Sequence, residues 1–210
     1  MIKKQNYLKH AIVLFLLLLL MQPERAWAAY ENVEFSSLTN HDGLTNSQVG
    51  AILKDTRGYI WFGTQSGLCR FDGFRMKTFY YSNTDDKSLP NNSVDELQQD
   101  YDGNIWVHTS VGYSIYKYDE EQFERKPEEW LKNIHVQGPP YKLLIDKDKN
   151  MWIAVYGQGL FFHNAKTKNT YLFKFTKKAQ PGCLKEGNIS KITEVDGDAL
   201  ITYGDGTICR

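Results

Sequence analysis

Short runs of apolar and β-branched residues, separated by clusters of glycine, aspartate and asparagine, occupy the chain beyond residue 46. In the clearest stretch, residues 49–54, 59–64, 68–71 and 75–80 form four such runs, and Asp72-Gly73 between the last two is typical of a tight hairpin turn. Apolar residues at helical spacing do not persist here for a dozen positions. The pattern therefore predicts four short antiparallel strands.

The four-strand pattern recurs along the chain. Trp61, Trp106 and Trp152 lie 45 and 46 residues apart, and each stands six residues after an aspartate. A weaker fourth copy begins at Ile189 and carries Leu200 in the tryptophan position. A period of about 45 residues is typical of β-propeller blades. The sequence therefore predicts an all-β propeller of about four blade equivalents in an incomplete ring. The repeats lie near residues 47–90, 93–135, 140–180 and 188–210.

The repeated residues have structural explanations. The tryptophans supply large apolar areas between neighbouring blades. The aspartates accept hydrogen bonds from backbone N–H groups two residues on and fix the first turn, and the glycines adopt the positive φ angles that tight turns require. Residues present in several copies belong more economically to the scaffold than to catalysis. The predicted scaffold set is Trp61, Trp106, Trp152, Asp55, Asp100, Asp146, Gly58, Gly103, Gly67, Gly112 and Gly159.

Residues 1–28 have the organisation of a secretory signal peptide. Three lysines precede residue 11, an apolar run extends from Ala11 to Met21, and Ala26-Trp27-Ala28 provides a small-residue cleavage site. An uncleaved membrane anchor is the alternative, but a spanning helix needs about 20 apolar residues. We therefore expect export, cleavage before Ala29 and a partial propeller domain over residues 29–210.

Charge and cysteine content narrow the function classes. The full chain has 25 basic and 25 acidic side chains, and removal of residues 1–28 leaves the acidic ones in slight excess. Without excess positive charge, the attraction that drives nucleic-acid binding is missing, so we expect no nucleic-acid partner. Hydrophobic residues make up 41%, which is enough for a packed core. Cys69, Cys183 and Cys209 leave open one disulfide or three free thiols.

Several segments resemble a known family of repeats. The matching residues are Asn46-Ser47-Gln48-Val49, Gly58-Tyr59-Ile60-Trp61-Phe62-Gly63-Thr64, Gly67-Leu68, Phe71-Asp72-Gly73, Leu89-Pro90-Asn91-Asn92-Ser93-Val94 and Gly103-Asn104-Ile105-Trp106. They are similar to the two-component regulator propeller repeat, which occurs in the periplasmic sensor region of hybrid two-component histidine kinases of carbohydrate-degrading bacteria. The resemblance extends over residues 30–210, although the third copy replaces the Trp-x-Gly-Thr core and the fourth lacks the tryptophan.

The resemblance implies a function for the chain. It would be the N-terminal, ligand-sensing propeller fragment of a membrane-bound hybrid two-component sensor that answers a glycan-derived ligand in a phosphorelay. The implied location is the periplasmic side of the inner membrane. The implied partners are an oligosaccharide and the remaining blades, membrane segment and kinase of a full-length sensor that forms a homodimer. Because these 210 residues contain no segment that resembles a kinase, we expect no enzymatic activity, no cofactor and no catalytic residue in this chain.

The sequence at the two ends of the chain leads to two further predictions. Residues 35–47 resemble residues 79–93, which lie between the first two copies, and we predict that residues 30–46 form a strand completing a distant last blade. An ordinary leader loop is the alternative. The fourth copy stops at Arg210, partway through the pattern. This predicts an N-terminal fragment of a longer sensor, marginally folded alone.

Aromatic side chains outside the repeated positions are the candidates for ligand binding. Tyrosines at predicted strand ends and turns offer faces on which sugar rings stack, and His108 occupies a position that is glycine in the first copy. The alternative is that these side chains pack between blades. The candidates are Tyr80, Tyr81, Tyr101, Tyr113, Tyr156 and His108.

We predict no metal site. Asp146-x-Asp148-x-Asn150 resembles the start of a calcium-binding loop, but Met151 stands where such a loop needs glycine. The segment also occupies the first hairpin of its copy, so we interpret it as a turn. No histidine lies at metal-ligand spacing from another histidine or from a cysteine.

An exported propeller enzyme, a glycosidase or a lyase, is the competing function. Asp55, Gly58 and Trp61 come close to the Asp-x-Gly-x-x-Trp box of sialidases, but the spacing differs by one residue. Such enzymes also need a pair of carboxylates as acid and base, and no unrepeated pair stands out. Turnover of sugar substrates, as against binding without turnover, separates the two functions.

Overall fold

Fifteen strands form four antiparallel sheets in the part of the chain that the computed structural model describes, residues 35–176, 184 and 187–210. The four sheets belong to one unit, Leu38–Arg210. The predicted signal peptide, residues 1–28, lies outside the described residues, as does Cys183. Each sheet follows chain order, with every strand hydrogen-bonded to the one before it, as in the blades of a propeller.

Three sheets have four strands and the last has three. Blade 1 contains β1 (Val49–Lys54), β2 (Ile60–Thr64), β3 (Gly67–Phe71) and β4 (Met76–Phe79). Blade 2 contains β5 (Val94–Gln99), β6 (Ile105–Thr109), β7 (Gly112–Lys117) and β8 (Gln122–Glu124). Blade 3 contains β9 (Pro140–Ile145), β10 (Met151–Val155), β11 (Gly159–His163) and β12 (Thr170–Lys174). Blade 4 contains β13 (Ile189–Val195), β14 (Asp198–Tyr203) and β15 (Ile208–Cys209).

The predicted all-β propeller is confirmed, and the described blades do not close into a ring. In blade 1 the strand boundaries agree with the sequence pattern to within one residue. The turn between β3 and β4 is longer than the predicted two residues. Asp72 accepts hydrogen bonds from the backbone N–H groups of Phe74 (2.8 Å) and Arg75 (2.6 Å), and the turn spans residues 72–75. The aspartate side chain thus stabilises a wider turn than the Asp-Gly pair suggests.

The hydrophobic core lies between the blades. Trp61 of blade 1 is fully buried and packs against Ile105 and Tyr116 of blade 2. The next two interfaces repeat this arrangement around Trp106, which is buried, and Trp152, which is partly buried. A blade is a small sheet with two apolar faces, so it acquires a core only by stacking on its neighbours. All three tryptophans therefore lie in clusters that join neighbouring blades.

The first turn of each blade is organised by its aspartate. Asp55 Oδ1 accepts hydrogen bonds from the backbone N–H groups of Arg57 (2.9 Å) and Tyr59 (3.0 Å). Its second oxygen, Oδ2, accepts the indole N–H of Trp61 at 2.7 Å. The side chain therefore fixes the turn and also binds the buried indole N–H, for which the Tyr118 hydroxyl is a second, longer acceptor at 3.2 Å.

The carboxylate–indole bond is repeated in the next two blades. Trp106 Nε1 donates to Asp100 Oδ2 at 2.9 Å, and Trp152 Nε1 donates to Asp146 Oδ2 at 3.4 Å. Burial raises the pKa of the Asp100 carboxyl, although hydrogen bonds from Trp106 and Asn104 act in the opposite direction. The aspartates are scaffold groups whose charge is held inside a turn.

The segment before β1 is a leader loop. In its described part, residues 35–46, there is no strand, so the prediction of a closing strand is wrong for these residues. Asn40–Asp42 forms a 3-10 helix that is capped by Thr39. Leu44 is buried against Phe62 and Cys69 of blade 1.

The resemblance between this leader and the segment before β5 has a packing explanation. Leu44, Leu89 and Leu184 each stand five residues before the first strand of a blade, and all three are buried. The recurring leucine anchors the incoming chain on the sheet. The sequence similarity therefore marks the approach to a blade and not a strand of a preceding one.

A helical insertion between blades 2 and 3 is absent from the sequence prediction. Helix α1 (Pro127–Leu131) continues into a 3-10 turn, Lys132–Ile134, inside what was expected to be the outer part of the second repeat. Proline at the first helical position and two following glutamates are favourable at a helix N-terminus. Leu131 and Ile134 are buried in the core between blades 2 and 3. No helix in the described part of the chain is long and apolar enough to cross a membrane.

Candidate functional site

The turns between the second and third strands of blades 1 to 3 lie at one end of their sheets, together with the starts of β1, β5 and β9. The first residue of β1, Val49, pairs with the last residue of β2, Thr64, and Val94 of β5 pairs with Thr109 of β6 in the same way. The start of each first strand therefore lies beside the turn that follows the second strand. We call this end the upper face. The opposite end, with the turns that begin at Asp55, Asp100 and Asp146, is the lower face. Five of the six predicted ligand-binding residues lie at the upper face, and Tyr101 lies at the lower face.

A cavity of about 450 Å³ opens on the upper face between blades 2 and 3. Its volume lies within the range of small-molecule sites, roughly 300–1,000 Å³. It combines aromatic walls with a few polar and charged groups, the usual composition of a ligand site. Its aromatic, histidine and charged side chains are His108, Tyr113, Arg125, Glu128, Tyr141 and Tyr156.

His108 is held by a carboxylate at one edge of this cavity. Its Nδ1 lies 2.5 Å from Asp95 Oδ1, and its ring centroid lies 4.5 Å from that of Tyr113. Among the described residues, Nε2 has no hydrogen-bond partner. Asp95 thus orients the imidazole and leaves its second nitrogen available for a ligand.

Tyr113 is a wall of the cavity and not an exposed platform. It is only 5% exposed, and its hydroxyl donates to Glu96 Oε2 (2.8 Å) and accepts from the backbone N–H of Leu143 (3.2 Å). Burial, followed by the charge of Glu96, raises the pKa of Tyr113. Lys142 Nζ lies 3.2 Å from Glu96 Oε1, so the network joins blade 2 to blade 3. The Tyr113 ring therefore packs between blades 2 and 3, which was the alternative to an exposed ring that binds a ligand.

Tyr156 is the exposed aromatic of the cavity. It lies in the turn between β10 and β11 and is 65% exposed. One face of its ring stacks on Tyr141, with centroids 4.0 Å apart and planes 21° from parallel. The hydroxyl of Tyr141 accepts the backbone N–H of Ile189 at 3.4 Å, and burial raises the pKa of that hydroxyl. The pair therefore presents a supported aromatic surface.

Tyr141 is absent from the sequence-derived candidates. It lies on β9, close to the strand start, so its position in the chain resembles that of a core residue. Its neighbours Pro139 and Pro140 also line the cavity. A tyrosine directly after two prolines, at the beginning of a first strand, was the available signal.

Tyr80 and Tyr81 lie on the upper face beside blade 1, outside the cavity between blades 2 and 3. Tyr80, 51% exposed, borders a separate cavity of about 310 Å³. The backbone N–H of Tyr81 donates to Asn92 Oδ1 (2.7 Å), and the guanidinium of Arg125 lies 5.4 Å from its ring. Arg125 also donates to the carbonyl oxygens of residues 82, 85, 88 and 89, so it ties this loop to the cavity edge.

Tyr101 is separated from the other candidates. On the lower face its ring centroid lies 6.1 Å from Trp130 and 5.6 Å from His163, and Lys168 Nζ lies 3.3 Å from the ring centre. Burial raises the pKa of Tyr101 to about 12, with Asp102 adding to the shift. Its contacts are those of a packed residue capped by a cation.

Acidification is expected to destabilise the propeller through His163. This residue is buried, and its Nδ1 lies 2.9 Å from the hydroxyl of Thr170, which itself donates to the carbonyl of Ile134. Nδ1 therefore carries the proton, and Nε2 has no hydrogen-bond partner among the described residues. Burial lowers the pKa of His163 below its ordinary 6.5; Lys168 lowers it further, and Asp102 opposes the shift.

The direction of the pH effect follows from this lowered pKa. The unfolded chain takes up a proton near pH 6.5, whereas folded His163 does so only at lower pH. The stability from neutral His163 is fully present above the unfolded pKa and is lost as pH falls through the folded one. We expect denaturant unfolding at about pH 7.5 and about pH 5 to show this loss. His163→Gln should reduce it, and an unchanged pH dependence in that variant would contradict the prediction.

The predicted turn at Asp146 is confirmed. Asp146 Oδ1 accepts the backbone N–H of Asn150 (2.8 Å), and Oδ2 accepts the side-chain amide of Asn150 (3.0 Å). In the described ranges no cluster of histidine, cysteine, aspartate and glutamate side chains is arranged to hold a metal ion. Cys69 is a buried free thiol that contacts Thr45, and Cys209 is also free.

Comparison with known proteins finds a family model that matches two of the repeats. A family model described as the two-component regulator propeller matches residues 43–66 and 88–110. Each match begins in the leucine-anchored approach to a blade, covers the first two strands and ends in an upper-face turn. The two matches therefore coincide with equivalent parts of blades 1 and 2.

One curated relative and one solved structure, both longer than this chain, are similar to it over part of their length. Histidine kinase P4 of Formosa agariphila is 41% identical over 61 residues, which are 29% of this chain and 4% of that protein. The extracellular domain of the hybrid two-component system BT3049 from B. thetaiotaomicron superposes with a TM-score of 0.57 at 23% identity, covering 82% of this chain and 24% of that one. The chain thus spans a small part of either protein's length.

Proposed function

We propose that this chain, which carries two-component regulator propeller repeats, is a ligand-sensing part of a membrane-bound hybrid two-component sensor, and that its ligand is derived from a glycan. In this proposal the propeller is exported to the periplasmic side of the inner membrane and binds without catalysing a reaction. Further blades, a membrane segment and a kinase of a longer, homodimeric sensor carry the signal inward.

The observation that carries the proposal is the position of the cavity relative to the matched repeats. The second match ends at residue 110, in the turn that borders the cavity between blades 2 and 3. The cavity joins an exposed tyrosine, Tyr156, to an oriented histidine, His108. Aromatic faces stack on the C–H faces of sugars, and the polar groups bind hydroxyls. A regulator repeat that builds such a cavity supports ligand sensing.

The enzyme alternative has one observation in its favour. His108 and Asp95 form a pair 2.5 Å apart, and such a pair can move a proton in catalysis. The same pair can equally orient a hydrogen bond to a bound hydroxyl, without any reaction. The two functions differ in whether the bound sugar is altered.

A binding and turnover experiment tests the proposal. The purified chain is titrated calorimetrically with four series of sugars: malto-, cello-, xylo- and galacturono-oligosaccharides. Each series runs from the monosaccharide to the hexasaccharide. Every bound sugar is then incubated with the protein and separated by chromatography. Binding with unchanged sugar supports a sensor; new, shorter products that disappear in His108→Ala support the enzyme instead. If no oligomer binds, the glycan assignment fails.

A further inference from the structure

We propose that the Tyr141–Tyr156 pair is a ridge between two subsites, and that the ligand is a linear oligosaccharide that crosses this ridge with sugar units on both sides. The inference rests on the proposed function and specifies its ligand. It is carried by a second cavity, of about 540 Å³, that opens beside β12 of blade 3 and is also lined by Gly187, just before blade 4.

The two cavities share the tyrosine pair. The first, between blades 2 and 3, and the second, beside β12 of blade 3, have Tyr141 and Tyr156 in common. The stacked rings therefore form the boundary between the cavities, and the 65% exposed Tyr156 forms its outer part. Both volumes fall in the range of ligand sites, so neither side is too small for a sugar unit.

The ridge is supported from beneath. Tyr141 is held by the 3.4 Å hydrogen bond from the backbone of Ile189 and by its position on β9. Tyr156 is stacked on this fixed ring at 4.0 Å. A preorganised aromatic surface loses little conformational entropy when a ligand stacks on it. The pair is thus suited to bind the middle of an extended ligand.

The two cavities offer different polar groups. The first contains His108, with Nε2 available, and the Glu128 carboxylate. The second contains the Lys174 ammonium group and the Gln158 amide, which donates to the carbonyl of Gln137 at 2.6 Å. Hydrogen-bonding groups on both sides of an apolar ridge match a chain of rings that carry hydroxyls at their edges.

Ligand length is the measurable consequence. A monosaccharide fills one side only, whereas an oligomer that crosses the ridge gains contacts in both cavities within a single binding event. Affinity should therefore rise with chain length until both cavities are occupied. A small ligand confined to the first cavity shows no such dependence.

The test compares four variants of the purified chain with the same oligomer panel. Tyr156→Ala should weaken binding of the longest bound oligomer at least tenfold. Lys174→Ala should weaken the oligomers but leave the monosaccharide unchanged. Tyr171→Ala is the matched control, since Tyr171 is 53% exposed on β12 and lines neither cavity. Tyr80→Ala tests the separate cavity that Tyr80 borders.

The outcomes separate the ridge from the proposed function. Loss of binding in Tyr156→Ala with length-dependent affinity supports both. Binding that is independent of length, or lost in Tyr80→Ala but retained in Tyr156→Ala, overturns the ridge and leaves glycan sensing in place. If no member of the panel binds the unaltered chain, both are overturned. Thermal unfolding of each variant verifies that a loss of binding reflects the site and not misfolding.

Discussion

Replacing Trp61 by alanine is expected to destabilise the propeller by about 3–5 kcal/mol. The side chain is fully buried and stacks on Phe79 of its own blade. Its ring centroid lies 5.1 Å from that of Tyr116 and 6.0 Å from that of Tyr118, both in the next blade. Removing it leaves a cavity between two blades, and Asp55 loses the indole donor. The free energy of unfolding, measured by denaturant titration at neutral pH, gives the loss directly.

Trp152→Ala is the matched control for this prediction. Trp152 occupies the same repeat position but is only partly buried, and its indole bond to Asp146 is longer, at 3.4 Å. Its replacement should therefore cost less than that of Trp61. A loss below about 1 kcal/mol for Trp61→Ala, the range of surface substitutions, contradicts its assignment to the core. Equal losses for the two variants contradict the argument from burial.

The strands were predictable because each blade is encoded locally. An aspartate that closes a turn and accepts an indole N–H six residues later, as Asp55 does for Trp61, fixes the first hairpin from a short segment. Gly67 then marks the second turn with a φ of 136°. Such signals do not depend on the rest of the fold, so the chain pattern reveals them.

The connections between blades were less predictable, because they are selected by what they pack against. Residues 35–46 resemble the approach to blade 2 since Leu44 and Leu89 both anchor on a sheet, and the sequence alone does not distinguish an anchor from a strand. Helix α1 is only five residues long. Its apolar residue Leu131 is buried between two blades, which a helix this short does not reveal through periodicity.

The candidate site was predictable by residue type and not by arrangement. Tyr156 and His108 lie on the same cavity, as ligand residues must, and their role in binding stays a prediction. Tyr113 looks equivalent in sequence, but blade 3 covers it through the backbone of Leu143. Tyr141 acquires its role only when the turn of Tyr156 folds onto it. The exposure of a ring depends on the neighbouring blade, about 45 residues away in the repeat, and the stacking of Tyr141 depends on how the turn of its own blade folds.

Replacing Gly159 by alanine is expected to destabilise the chain by more than about 3 kcal/mol. Gly159 begins β11 with a φ of 140°, a backbone conformation that residues with a side chain rarely adopt. A Cβ atom there would overlap the carbonyl oxygen of Phe173, because β12 pairs with β11 as far as Gly159 itself. The outer strand of blade 3 must shift to accept even a methyl group. Denaturant unfolding measures the loss.

Gly112 provides the control, since it occupies the same repeat position with a φ of 113° but has no atom within 4 Å of its added Cβ. In blade 2 the outer strand β8 pairs only with residues 115–117 and ends before it reaches this glycine. Gly112→Ala should therefore cost only the backbone strain, about 1–2 kcal/mol. The difference between the two variants isolates the contact with the outer strand. Equal losses would show that β12 does not lie against Gly159 in the folded protein.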